Sequence, residues 1–80
     1  MRDYSKLKGL IREKLGSYDL LANKLNKSTS LISMKLNGKV PFSLSEMDSI
    51  IEILNIDTSE IYEYFFTKKV ENNSTLIKEN

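Results

Sequence analysis

The 80-residue chain contains no cysteine and no histidine. Disulfides and thiolate metal sites are therefore excluded, and so is imidazole acid–base chemistry. It has a single proline and only three glycines, and none of them forms a Gly-rich phosphate loop. No apolar run approaches the roughly 18 residues that a membrane span needs, and the N-terminus lacks the apolar core of a signal peptide. These absences lead us to expect a cytoplasmic protein with no membrane partner. They also lead us to expect no enzymatic activity, no cofactor and no metal. The acids Glu46, Asp48, Glu52, Glu60 and Glu63 lack the spacing of a calcium loop, and read best as a solvated acidic face.

What is present is enough for one small domain. The apolar share is 40%, above that of disordered chains. At this length only about 60% of the unfolded chain's surface is buried on folding. The net charge of +1 conceals a strong asymmetry. Residues 1–39 hold nine Lys/Arg and three acids, a net +6. Residues 40–80 hold three lysines and eight acids, a net −5. A basic half beside an acidic half is the pattern of a nucleic-acid binder with one wetted face.

The periodicity predicts five helices and no convincing strand, apart from a possible alternation over residues 65–70. The first helix spans residues 4–15, with Asp3 as its cap, Tyr4, Leu7, Ile11 and Leu15 at helical spacing, and Gly16 as a left-handed stop. Gly9 weakens it by about 1 kcal/mol relative to Ala. The next stretch, SYDLLANKLNKSTSLISMKLNGK over residues 17–39, reads as two short helices around a tight turn. Ser17 caps one of them and Ser28 the other. Asn26 suits the left-handed position between them, and Asn37 and Gly38 end the pair. Pro41 blocks continuation and Phe42 anchors the loop. Ser43 or Ser45 caps a fourth helix ending at Leu54, with Met47, Ile50, Ile51 and Leu54 as its stripe. Residues 55–57 form a turn, and Thr58 or Ser59 caps a short fifth helix. The expected core is Leu7, Ile11, Leu21, Ala22, Leu25, Ile32, Leu36, Ile50, Leu54 and Ile61. Residues 1–66 are expected to form the domain, and 67–80 a polar, largely disordered tail.

Over residues 4–66 the chain resembles the lambda-repressor-like helix-turn-helix (Cro/cI, XRE) family, and within it the small phage Cro-like regulators. Leu21 with Ala22, Ser28, Ile32 with Ser33, and Leu36, Asn37, Gly38 and Lys39 carry the resemblance. It implies an all-α, compact five-helix fold with the helix-turn-helix as helices two and three. It also implies a transcriptional regulator that lays the third helix in the major groove of double-stranded DNA as a homodimer. Base-edge contacts fall to Thr29, Ser30, Ser33, Met34 and the flanking Lys35. Phosphate contacts fall to Tyr18, Lys27, Ser28, Asn37 and Lys39. Tyr18 stands where the family usually has Gln, Lys27 where it has an apolar residue, and Met34 where it often has Arg. No bidentate base reader is left on the third helix.

That loss motivates the alternative, an interaction protein of the same fold that binds a partner repressor rather than DNA. The aromatic cluster Tyr62, Tyr64, Phe65 and Phe66 is the matching surface for dimerisation or partner binding, since aromatics dominate interface hot spots. Its competing reading is closure of the core, by Phe65 and Tyr62 above all.

Overall fold

The computed structural model describes residues 2–68. Five helices follow one another: α1 (Ser5–Lys14), α2 (Tyr18–Leu25), α3 (Thr29–Leu36), α4 (Leu44–Leu54) and α5 (Ile61–Phe65), the last entered through a 3-10 turn at Thr58–Glu60. Among the described residues there is no strand. The suspected alternation near residue 65 reduces to one antiparallel bridge between Arg2 and Lys68. Beside it the Asp3 N–H donates to the Thr67 carbonyl at 2.7 Å. Thr67 and Lys68, the first residues of the expected tail, make these contacts, and residues 69–80, Val70 among them, lie outside the described residues.

Local chemistry sets the helix ends. Ser17, Ser28 and Ser43 accept from Leu20, Leu31 and Glu46 N–H groups, as serine caps do. Asn26 and Asn55 take left-handed conformations, with φ of 59° and 55°. A short polar side chain tolerates that region better than any other side chain. Gly16, at φ 87°, closes α1.

Two caps differ from expectation. Tyr4 occupies the cap position of α1 without a side-chain bond, because its ring turns inward onto Phe42 at 5.3 Å. Asp3 instead accepts from the Ser5 N–H at 2.9 Å and the Ser5 hydroxyl at 2.6 Å. At the 3-10 turn Asp57, rather than Thr58 or Ser59, is the cap, and its carboxylate accepts from the Ser59 N–H at 3.0 Å.

The core forms where the five apolar stripes meet. Leu7, Ile11, Leu21, Ile32, Leu36, Ile50, Leu54 and Phe65 are fully buried, with Ala22 beside them. Burying each of the large ones contributes about 1.5–3 kcal/mol. Leu25 and Ile61, expected in the core, are only half-buried. Tyr4, Phe42, Ile56, Tyr64 and Phe65 complete it. Phe42 stands edge-on to both Tyr4 and Phe65, and so joins the α3–α4 loop to α1 and α5. Lys14 reaches the Leu54 carbonyl at 2.6 Å, placing a cation at the C-terminal end of α4.

Candidate interaction surfaces

Helices α2 and α3 pack closely because Ala22, 1% exposed, offers no bulk at their crossing. The turn returns the Lys27 N–H to the Ala22 carbonyl at 2.9 Å. A side-chain bond spans the pair, from the Thr29 hydroxyl to Asp19 at 2.7 Å. Thr29 and Ser30 are exposed, Ser33 is half-buried and Met34 is 40% exposed. These four share the outer side of α3. The Thr29 hydroxyl proton is committed to Asp19, and so it is an acceptor toward anything that approaches.

Of the residues assigned to phosphates, Lys27, Asn37 and Lys39 are exposed. Tyr18 is half-buried, with the Arg12 guanidinium 5.6 Å above its ring. Ser28 is occupied as the cap of α3. Asn37 accepts from Lys8 Nζ at 2.9 Å. A lysine of α1 thus joins the end of α3, which no periodicity within either helix signals.

Lys35, expected at the base edges, instead points inward and is 7% exposed. Its ammonium donates to Glu46 Oε1 at 2.6 Å and to the Pro41 carbonyl at 3.2 Å. The Phe42 ring lies 5.9 Å away. On a helix, residue 35 shares a face with Ile32 and Leu36. Its long stem covers apolar surface while its head finds a buried partner.

The aromatic group divides in two. Tyr64 and Phe65, assigned to interaction, are buried at 8% and 0% exposure and belong to the core. Tyr62 is 68% exposed and stacks on the half-buried Phe66 at 5.9 Å. It does not close the core, as the competing reading had it. The Arg2 guanidinium covers Phe66 at 4.8 Å and donates to its carbonyl at 3.3 Å. Lys6 pairs with Glu63 at the edge of this patch. An outward ladder of Arg2, Phe66 and Tyr62 results, with one face of Tyr62 open.

A family model described as "Protein of unknown function (DUF739)" matches residues 1–68. The chain belongs to the DUF739 family. Among solved structures, it is similar to the solution structure of the modulator of repression (MOR) of the temperate bacteriophage TP901-1 from Lactococcus lactis. The TM-score is 0.70 at 36% sequence identity, over 88% of this chain and 95% of that one. No curated protein matches the sequence.

One residue of this DUF739 chain had no part in the expected site. Glu46, expected on a solvated acidic face, is instead 8% exposed. It accepts from the Ser43 N–H at 2.8 Å, and its own N–H donates to the Ser43 hydroxyl at 3.1 Å, completing a capping box. Lys27 approaches its other oxygen at 3.9 Å. Burial pushes the Glu46 carboxyl up, but the bonds from Lys35 and Ser43 outweigh it and hold the group below its ordinary value. The signal for the box was legible in the Ser-x-x-Glu spacing. The two lysines converge on it only through the tertiary fold.

Proposed function

We propose that this DUF739 protein is a phage regulatory protein that modulates repression by binding a partner repressor. The likeness to MOR over nearly the whole of both chains carries the reading. Two features of the surface support it. The outer side of α3 offers hydroxyls and a methionine, with no bidentate reader. The Tyr62 and Phe66 stack, backed by Arg2, has the residue types that anchor protein interfaces. The protein then works as a binding module, not as an enzyme.

The test mixes the purified chain with candidate phage repressors and follows complex formation by light scattering and calorimetry. A stoichiometric complex is expected, and Tyr62→Ala should weaken it by about 30-fold, the loss typical of a hot spot. No complex at micromolar concentration would overturn the reading.

A second reading is favoured by the exposed Lys27 and Lys39 beside the exposed Thr29, Ser30 and Met34. Here the protein is a Cro-like, helix-turn-helix DNA-binding homodimer. A gel shift on candidate operator DNA decides between the readings. This one requires binding whose log affinity falls steeply with log salt.

A further inference from the structure

The last helix is too short to hold its own end. α5 has five residues, and helices below about 12–15 residues are marginal by themselves in water. The carbonyls at its C-terminal end need partners from outside the helical ladder. The Thr67 hydroxyl donates to the Glu63 carbonyl at 2.8 Å, and the Arg2 guanidinium donates to the Phe66 carbonyl at 3.3 Å. Arg2 reaches that carbonyl across 64 positions of chain. The bond from the Asp3 N–H to the Thr67 carbonyl, at 2.7 Å, and the Arg2–Lys68 bridge hold the N-terminal segment against residues 66–68.

The outward rings depend on this tether. Phe66 lies one residue past the end of α5, with φ −123° and ψ 4°, so helical geometry no longer sets its side-chain direction. The Arg2 guanidinium, 4.8 Å from the ring centroid, covers it instead. Tyr62, one helical turn earlier, stacks on Phe66 at 5.9 Å with 27° between the ring planes. At 68% exposure Tyr62 has little else to rest on. Support therefore runs outward in order, from Arg2 to Phe66 to Tyr62. Tyr64 and Phe65, by contrast, are placed by the core.

We propose that Arg2 is a positioning residue for the interaction surface: it fixes the Phe66 ring, and through it the Tyr62 ring, in the stacked form that a partner meets. A ring ordered before contact spares the complex the cost of ordering it. Arg2 acts through Phe66, not by touching the partner. The inference rests on the reading of this stack as the repressor-binding surface, and deepens it by assigning the shape of that surface to the N-terminal segment.

The test has two arms. In the first, NMR on the free chain compares the wild type with Arg2→Ala. The wild type should hold Phe66 in one χ1 rotamer, with nuclear Overhauser contacts between the Phe66 and Tyr62 rings. In Arg2→Ala the Phe66 couplings should average over the staggered wells and those contacts should weaken. Phe65, fully buried, should keep its single rotamer. Unchanged Phe66 couplings overturn the proposal. So does averaging at Phe65, which would make Arg2 a support of the whole helix.

In the second arm, a candidate phage repressor that binds the wild type is titrated with each variant by calorimetry. Arg2→Ala should weaken binding by about fivefold, the cost of ordering one side chain. In a Tyr62→Ala background the same substitution should cost less than about twofold, because the ring it positions is gone. A loss that is absent with Tyr62 in place, or that persists in full without it, overturns the proposal. If no repressor binds the wild type, the repressor reading falls, and the free-chain arm alone decides the role of Arg2.

Discussion

Replacing Phe65 and Tyr62 by alanine, one at a time, tests the division of the aromatic cluster. Phe65 is 0% exposed and stands edge-on to Phe42 at 6.1 Å. Removing its ring empties a site between α1 and the loop through Phe42, and truncations of this kind cost about 3–5 kcal/mol. A single domain of this size has a total stability of about 5–10 kcal/mol. Phe65→Ala should therefore lose a third or more of it. At about 4–8 °C per kcal/mol, melting falls by at least about 12 °C. Tyr62 is 68% exposed and touches mainly Phe66, so Tyr62→Ala should change stability by about 0.5 kcal/mol or less. Urea unfolding followed by circular dichroism at 222 nm measures both. A loss below about 1 kcal/mol for Phe65→Ala would refute the placement of α5 in the core. A loss above about 2 kcal/mol for Tyr62→Ala would refute its assignment as a free surface. The same two variants calibrate the repressor assay, because only the second separates binding from folding.

Other outcomes follow from single positions. Gly9 lies in α1, and a Cβ built there meets nothing within 4 Å. Gly9→Ala should accordingly stabilise the protein by about 1 kcal/mol, seen as a rise in melting temperature of about 4–8 °C. The Glu46 carboxyl is held below its ordinary 4.5 in the folded protein. Its contribution to stability is complete above 4.5 and is lost as the pH falls through the lower folded value. Asp57, held below 3.8 by the hydroxyl and N–H of Ser59, acts in the same direction. Urea midpoints should thus decline from pH 5 toward pH 3. Glu46→Gln should flatten that decline, and an unchanged slope in the variant would show that Glu46 does not contribute to it.

The expected helices and the observed ones agree closely because their ends are short-range events. Ser28 caps α3 through the Leu31 N–H, three residues away, and Asn26 needs only its own backbone to turn. The same locality explains the successes in the core. Leu7, Ile11, Leu21, Ile32, Leu36, Ile50 and Leu54 lie at spacings that put them on one side of their own helices. The misses arose where a choice depended on a neighbour distant in sequence. Tyr4 gave up its place in α1 for a ring contact with Phe42. Ile56, in what read as a plain turn, is 8% exposed because the chain folds back there over the core.

At the surface, sequence and tertiary structure divide the determination more sharply. The sequence alone determined the number of helices, the serine caps of α2 and α3, the tight turn between them, and the basic and acidic halves. Each of these depends on residues within one or two turns of each other, or on composition. Only the tertiary structure decided which charges and rings face outward. Lys35 turns in because α4 carries Glu46 to meet it. Lys8 joins Asn37 across 29 positions of chain. Tyr62 stays out while Phe65 goes in, because α5 has one side to place against α1 and the Phe42 ring occupies it. A helix's own spacing assigns residues to its sides. Which of those sides meets a partner, and whether a buried lysine finds a carboxylate there, depends on how the helices pack together.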